Sequence, residues 1–428
     1  MKKIVLSLFV FAISANIVAA DHVMAATKRA PEKEVPATLN LSLQEAQDYA
    51  VAENRSLRNA DLAVQKAYAT RWQTIASMLP SVDMSWAYQS MMGYKMNLGV
   101  MPIEMPDNGT LGITASVGIN GQAIVGALLN NTAIEMQKLN LEISEDNLRA
   151  SVKSSYASVL VLEDVVKLLD SSLKNIENLA AMTQRSVEVG AAEQTTADQI
   201  LVRVNTLKNN INANKRSTQL AINALKVLLN VPAETELTLT TQLSDMLSAE
   251  AIVALLGKDF VLENNLSYQT LAKNVELAKK NVHMAGWAYG PTIGVGYQYS
   301  EKDYFGKKEG FNMTPPNALS VQVSMPLWSS GKRAAGVVEK KIALEEARNT
   351  FEETADNLGI QNEQLRYNLQ NAYETYTNEQ ENMGVTQRVF DNTSLKFQQG
   401  VASNLDLVNA SNDLITAQST YVQAVLTL

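Results

Sequence analysis

Apolar positions along the chain follow two different periods, and the longer period covers most of its length. Helical spacing runs without proline from 122 to 188 and again from 332 to 399. At about 1.5 Å per residue, each run predicts a helix of roughly 100 Å. Shorter helical patterns cover 42–79 and 192–229. The pattern predicts a mainly α-helical chain whose elements are too long for a compact globular core.

Four short segments instead have a period of two residues. They lie at 81–90, 110–120, 291–300 and 318–327, where bulky apolar residues alternate with small or polar ones. This alternation predicts two pairs of strands, each with one apolar face. The first strand shows the pattern with Val82, Met84, Trp86 and Tyr88 on its apolar face.

The apolar strand faces have two explanations. They could cover a buried core in a soluble sheet or face lipid in a membrane barrel. Aromatic residues near strand ends, among them Trp86 and Tyr297, and the position of the strands between long helices favour the barrel. Four strands cannot close around a lumen, and open edges in hydrocarbon cost several kcal/mol per unpaired group. Further copies must complete the barrel; this argument leaves two copies or three open.

The chain is a tandem repeat. A helical pattern breaks at Gly190, and a second break occurs at Gly400, about 210 residues later. Glu53-Asn54 and Glu263-Asn264 share this offset, as do Pro80 and Pro291 to within a residue. Duplicated landmarks indicate two copies of one unit. Apolar residues flanking each glycine step by four and three residues, so each turn is predicted to close an antiparallel coiled-coil hairpin.

These patterns define the domain organisation. A basic start followed by an apolar run predicts a secretory signal peptide over residues 1–20, with a second possible cleavage site at 26. The last helix of repeat two is predicted over 403–428. The remaining segments are an extended leader over 21–40, repeat one over 41–230, an equatorial linker over 231–250 and repeat two over 251–428.

Composition excludes several classes of function. The net charge of −8 disfavours a nucleic-acid partner. The absence of cysteine excludes disulfides, thiolate metal sites and an N-terminal lipid on cysteine. The sequence contains no Ser, His and Asp set in catalytic spacing and no glycine-rich phosphate-binding loop. We therefore predict that the protein is not an enzyme and has no cofactor. Methionines in the loop 91–105 could bind Cu(I), but flexible loops that contain methionine are common, so we do not predict a metal site there. His283 has no second ligand near it in the sequence, so it is not predicted to bind a metal either.

Several motifs together resemble a known family. They are the segment 41–57, the prolines at the strand starts, and Phe397-x-x-Gly400-x-x-Ser403-x-x-Asp406-Leu-Val. In order and offset they resemble the TolC-like outer-membrane efflux proteins, over essentially the whole mature chain. The resemblance implies a homotrimer. Its fold would be mainly α with a transmembrane β-barrel, four strands per protomer completing a 12-stranded barrel that continues into a periplasmic α-helical tunnel.

The resemblance also implies a function. Such a protein is the outer-membrane channel of a tripartite efflux system, a passive conduit exported by its signal peptide. Its expected partners are outer-membrane lipid, a periplasmic adaptor protein and an inner-membrane transporter of the RND type. The cargo, whether drug, metal or protein, stays open. The alternative from another class is a soluble periplasmic coiled-coil scaffold, whose sheet would be buried.

The resemblance also assigns functional positions of the family to the matching residues of this sequence. Asp406 matches an acidic pore constriction of the family, and Asn409 and Thr196 occupy related positions. Asp406 could instead only cap the last helix. The family's adaptor-docking tip maps to Gly190, Ala191, Ala192, Gly400, Val401, Ala402 and Ser403.

Three positions depart from the family pattern. Ala402 replaces an arginine, Thr196 replaces an acid, and Phe397 lacks the hydroxyl of the aromatic residue that precedes the turn. We therefore expect packing and neutral hydrogen bonds, not a salt bridge, to hold the tip closed. Closure should then depend weakly on salt. Conductance of trimers across ionic strengths measures this, and steep salt-dependent opening beyond bulk conductivity would contradict it.

Overall fold

The structure, a computed structural model, describes residues 37–98, 101–104, 106–190, 192–246, 249–305 and 315–428. The predicted signal peptide, most of the predicted leader and Ala191 lie outside the described residues. So do the side chains of residues 96–105, within the methionine-bearing loop. The described residues form two compact units. One comprises Ala60–Leu141 and Glu263–Thr354; the other comprises residues 37–59, Glu142–Leu262 and Ala355–Leu428.

The first unit contains a four-stranded antiparallel sheet. Its strands, in their order across the sheet, are β2 (Ser81–Gln89), β5 (Asn108–Asn120), β7 (Thr292–Tyr304) and β8 (Asn317–Ser324). The central pair, β5 and β7, joins the two repeats through thirteen paired positions. A small hairpin, β3 (Lys95–Leu98) and β4 (Met101–Glu104), lies between β2 and β5 in the chain.

Register aligns the apolar residues of all four strands on one face. Met84 lies opposite Ile113, which lies opposite Tyr299. Val295 similarly pairs with Val117 on one side and Val321 on the other. This face remains uncovered, with Met84 63% exposed and Val321 69% exposed. The sheet therefore displays one continuous apolar surface, as the alternating pattern predicted.

Helices leave one end of this sheet in the same order as the strands. Contacts join α2 (Arg55–Ala76) to α3 (Gly121–Glu188), α3 to α7 (Leu266–Gly286), and α7 to α8 (Lys332–Gln398). Helix α2 is thus at one side of the row and α8 at the other, as β2 and β8 are in the sheet. The contacts are Asn130 Nδ2 to Thr74 Oγ1 at 2.8 Å, Lys273 Nζ to Glu135 Oε2 at 2.6 Å, and the Tyr268 and Phe351 ring centroids at 4.8 Å.

The sequence predicted one helix over 42–79, but the chain forms α1 (Leu43–Glu53) and then α2. Asn54 adopts an extended conformation, with φ −67° and ψ 128°. Its side chain accepts hydrogen bonds from the backbone N–H groups of Ser56 and Leu57, and so caps the second helix. Its amide also donates to the carbonyl of Leu228 at 2.8 Å. Tertiary contact and capping together break the helix.

The second unit is organised around Tyr156, whose side chain is fully buried. Its hydroxyl donates to the carbonyl of Leu41 at 2.9 Å and accepts from the N–H of Thr241 at 3.1 Å. These bonds hold a parallel two-stranded sheet against helix α3. The strands are β1 (Thr38–Leu41) and β6 (Glu236–Leu239), and two helices, α5 (Leu243–Met246) and α6 (Ala249–Leu256), follow.

Besides helix α1, the remainder of this unit is mainly two helical hairpins. Helix α3 and α4 (Gln194–Leu229) form the first, and α8 and α9 (Asn404–Thr427) form the second. The heptad spacing predicted the packing within each hairpin, and one apolar cluster in addition joins all four helices. Its buried members are Ile176, Leu179, Ile200, Val204, Leu207, Ile211, Phe390, Leu407, Ala410 and Leu414. None of the helices among the described ranges combines the length and hydropathy needed to cross a bilayer.

Candidate functional site

The candidate site is the pair of helix-to-helix turns, residues 189–193 (the first turn) and 399–403 (the second turn). Both turns reverse the chain at a glycine in the left-handed region, Gly190 at φ 75° and Gly400 at φ 73°. In the second turn, the N–H of Gly400 donates to the backbone carbonyl of Phe397 at 3.0 Å, and the N–H of Val401 donates to the backbone carbonyl of Lys396 at 2.9 Å. This hydrogen-bond pair satisfies the last carbonyls of α8 and is a Schellman motif.

The helices that leave the turns begin differently. Ser403 caps α9: its hydroxyl accepts from the N–H of Asp406, while the Asp406 carboxylate accepts from the Ser403 N–H at 3.0 Å and hydroxyl at 2.7 Å. The first turn has no such capping box, since Glu193 makes no capping bond with its side chain. The second turn is therefore the more firmly defined.

Asp406 is exposed and takes part in this capping box. Hydrogen bonds donated by the Ser403 hydroxyl and then by its N–H lower the pKa of Asp406 below the usual aspartate range. The carboxylate therefore stays ionised under mildly acidic conditions. The capping role considered from the sequence is present, and it leaves the charge of Asp406 at the surface.

The other predicted residues lie in different environments. Asn409 is exposed one turn after Asp406, whereas Thr196 is only 8% exposed within its own protomer. So little of the Thr196 side chain reaches the surface that it could contribute only slightly to a pore lining, and its place at a constriction stays a prediction. Of the predicted docking residues, Gly190, Gly400, Val401 and Ser403 are exposed, and Ala192 and Ala402 are partly buried.

Sequence reasoning missed the apolar character of the turn surface. Val189, Val401 and Leu405 are 79%, 74% and 67% exposed. These three residues do not occupy the heptad positions that continue through Leu407. An apolar residue outside the heptad positions is expected at the surface, so the sequence could have identified them as exposed. Exposed apolar side chains at a helical turn suit contact with another protein.

A buried polar pair was also missed. Ser172 on α3 and Gln418 on α9 are 7% and 2% exposed and hydrogen-bond to each other, the Gln418 amide donating at 3.1 Å. Two ion pairs link α3 to α4, Glu177 with Lys208 at 2.8 Å and Asp170 with Lys215 at 3.8 Å. Among the described residues, no group of histidine, cysteine, aspartate or glutamate side chains could hold a metal.

We expect Gly400→Ala to lower the stability of the second hairpin, because a left-handed conformation costs a non-glycine residue about 1–2 kcal/mol. The matched control is Gly359→Ala inside helix α8, where alanine is favoured over glycine by about 0.5–1 kcal/mol. The midpoint of thermal unfolding of the purified protein measures both. Gly400→Ala should lower the midpoint and Gly359→Ala should raise it. Shifts of the same sign would contradict the assignment.

Comparison with known proteins gives one family. Residues 47–231 and 259–427 match the family described as "Outer membrane efflux protein". Outer membrane efflux protein BepC of Brucella suis is 22% identical over 301 residues, covering 68% of this chain and 63% of BepC, slightly under two thirds of that relative's length. Probable efflux pump outer membrane protein TtgC of Pseudomonas putida is 23% identical over 409 residues, covering 89% of this chain and 79% of TtgC.

Solved structures share the fold. The outer membrane protein VceC of Vibrio cholerae aligns with a TM-score of 0.72 at 14% identity, covering 89% of this chain and 92% of VceC. The CmeC outer membrane channel of Campylobacter jejuni aligns with a TM-score of 0.71 at 15% identity, covering 94% of this chain and 88% of CmeC.

Proposed function

Because the chain belongs to the outer membrane efflux protein family, we propose that it is the outer-membrane channel of a tripartite efflux system. The observation that carries this proposal is the sheet β2-β5-β7-β8. Its apolar face is exposed along β2, β8 and most of β7 and is partly buried along most of β5, and its two edge strands each pair with only one strand among the described residues. An exposed apolar sheet face is suited to contact with lipid. Within the hydrocarbon of a bilayer, every backbone N–H and C=O group of such a sheet must be hydrogen-bonded, including those of the edge strands.

The open edges call for further copies of the chain. Strands β2 and β8 run in opposite directions, because each step across the sheet is antiparallel. The β2 strand of one copy can therefore pair antiparallel with β8 of the next, as in bacterial outer-membrane barrels. We propose that three copies assemble. Three copies supply twelve strands, which is the number expected from the trimeric architecture of the family that this chain resembles.

The channel performs no bond chemistry in this proposal. Small and polar residues such as Ser116, Gln298 and Gln322 occupy the opposite face of the sheet and would line a wet lumen. The exposed turns would dock a periplasmic adaptor through Val401, Leu405 and the small residues beside Gly190 and Gly400. An inner-membrane transporter, for which we propose the RND type, would supply energy and select the cargo.

Fractionation tests the proposal directly. The full-length protein, expressed with its signal peptide, should be recovered from outer membranes only with detergent. It should migrate on gels as a heat-modifiable trimer, because a closed barrel resists detergent until it is heated. A protein that stays in the soluble periplasmic fraction as a monomer would overturn the proposal and favour a coiled-coil scaffold.

We expect Asp406→Asn to reduce the preference of the channel for cations by several-fold. Three copies of Asp406 near the axis would form a negative ring, and charged rings select ions by sign. Hydrogen bonds from Ser403 lower the pKa of Asp406, so the cation preference should persist below the pH at which an ordinary aspartate becomes protonated. Only at still lower pH should protonation of Asp406 remove the preference.

Reversal potentials in planar bilayers under a salt gradient measure this selectivity. The matched control is Asp391→Asn, which removes another exposed carboxylate from helix α8 before the second turn. The difference in cation selectivity between the wild type and Asp406→Asn should decrease at high salt, because salt screens the electric field of the ring of carboxylates. Equal effects of the two substitutions would assign the selectivity to overall charge and not to Asp406.

A further inference from the structure

The polar face of the sheet β2-β5-β7-β8 carries very little charge. Its residues alternate with those of the apolar face, and the register places them in rows across the sheet. Among the positions of the four described strands that share this face, only two hold a charged residue, Asp83 on β2 and Lys302 on β7. The other positions hold glycine, alanine, tyrosine or a neutral polar residue. These two charges therefore determine the electrostatic potential along this face.

Side-chain contacts show that both charged groups lie on the polar face. The Ser81 hydroxyl donates to the carboxylate of Asp83 at 3.3 Å and lies 3.2 Å from the hydroxyl of Ser116, another residue of this face. The ammonium group of Lys302 lies 5.3 Å from the ring centroid of Tyr304, two residues further along the same strand. An aromatic ring at this distance attracts a cation. Tyr304 therefore helps to hold the Lys302 ammonium on the polar face.

The two charges occupy different heights in the sheet. Asp83 pairs with Thr114 of β5, whereas Lys302 pairs with Thr110 of the same strand. The spacing of four residues corresponds to about 13 Å along the strand direction. The Debye length is about 8 Å at physiological ionic strength, so the two charges act in separate zones. Lys302 lies at the end of the sheet away from the helices, because β7 leaves the helical end at Thr292 and ends at Tyr304.

The acidic residues on either side of Lys302 in the sequence lie on the opposite face of the sheet. Glu301 and Asp303 alternate with Lys302 along β7 and therefore point outward, as Tyr299 does. The Tyr299 hydroxyl donates to the Glu301 carboxylate at 3.0 Å. Both carboxylates are exposed, so solvent outside a barrel would screen them. The strand backbone separates them from the Lys302 ammonium, whose charge is the one that the lumen would sense.

We propose that Lys302 and Asp83 set the ion selectivity of the barrel section of the channel. In the proposed trimer, three copies of Lys302 form a positive ring near the outer mouth, and three copies of Asp83 form a negative ring nearer to the helices. Charged rings favour ions of the opposite sign. The outer ring therefore concentrates anions, and cations of the external medium meet this repelling ring before they reach Asp83. The inference rests on the proposed trimeric channel and deepens it, because it assigns the charge preference of its outer section.

A cysteine placed between the two rings reports the local potential, because the natural chain contains no cysteine. Ser85→Cys supplies this reporter: Ser85 is exposed and pairs with Gly112, midway between the β5 partners of Asp83 and Lys302. Trimers in a non-ionic detergent are treated with a methanethiosulfonate that carries either a sulfonate or a trimethylammonium group. Each rate, measured by mass spectrometry, is divided by that of neutral methyl methanethiosulfonate. The quotient of the two normalised rates is called the anion-to-cation ratio below.

We expect Lys302→Gln to lower the anion-to-cation ratio at the reporter by about twofold at about 0.15 M salt and by about fivefold at about 0.01 M, because lysines about 12 Å away act through screened water. Asp83→Asn should raise the ratio by at least a similar factor. The matched control is Glu301→Gln, which removes a charge one residue away on the outward face and should leave the ratio unchanged. A ratio that does not respond to Lys302→Gln, or that responds equally strongly to Glu301→Gln, would overturn the proposed rings.

Met84→Cys distinguishes a failure of the rings from a failure of the channel. Met84 adjoins Ser85 on the apolar face, where detergent would cover it, so the charged reagents should modify Ser85→Cys at least about tenfold faster. Equal rates at the two positions would overturn the proposed barrel and the rings with it. Faster modification of Ser85→Cys, with a ratio that ignores Lys302→Gln, would overturn the rings alone. Each variant is first checked for heat-modifiable trimers; Lys302→Met replaces Lys302→Gln if the latter does not assemble, and Lys302→Arg should keep the original ratio.

Discussion

Val321→Arg should abolish accumulation of the heat-modifiable trimer in the outer membrane. Val321 lies at the centre of β8, is 69% exposed, and shares the apolar face with its register partner Val295. An arginine on the lipid face near the bilayer midplane costs about 2–4 kcal/mol. Each trimer would carry the substitution three times, so the total penalty is comparable with the whole stability of an ordinary domain.

The neighbouring position provides the control. Gln322 lies on the opposite face of the same strand, opposite Gly294. Gln322→Arg introduces the same side chain toward the proposed lumen, where water solvates it, and should preserve the trimer. Gel migration of heated and unheated outer-membrane fractions measures both variants. If Val321→Arg accumulates like the wild type, or if both variants fail equally, then the apolar face does not contact lipid.

Leu407→Ala should loosen the packing behind the turns and raise the conductance of the resting channel. Leu407 is 1% exposed, in the first turns of α9, and belongs to the cluster that joins both hairpins. Removing a buried leucine side chain costs about 2–5 kcal/mol, and the upper values apply where the site cannot collapse. A cluster assembled from four helices is such a site, because each helix is also held by its other neighbours.

Leu405→Ala is the matched control, two residues earlier in the same helix. Leu405 is 67% exposed, so its truncation should change the stability by less than about 0.5 kcal/mol. Thermal unfolding of purified trimers and their conductance in planar bilayers measure both variants. A tip held by packing should open in Leu407→Ala at every ionic strength, whereas a tip held by ion pairs would respond to salt and not to this change. Indistinguishable behaviour of the two alanine variants would contradict the packing account.

The candidate site was predictable to the extent that it depends on local sequence. Gly190 and Gly400 interrupt long helical patterns, and a left-handed turn at a glycine is a local property. Ser403 and Asp406 have the three-residue spacing of a capping box, which forms within one turn. The burial of Thr196 was not predictable in this way, because it depends on which helices surround it.

The sequence by itself determined the periods, the four strands of the larger sheet, the repeat and the resemblance to the efflux family, and the comparisons confirm that family. These features are set by residues a few positions apart, since backbone hydrogen bonds in helices and side-chain alternation in strands are local. Only the tertiary structure decided that β5 pairs with β7 across the two repeats, that β1 pairs with β6, and that Asn54 divides the first helix. Such contacts join segments far apart in the chain, so their selection depends on the packing and loop-closure energies of the whole fold.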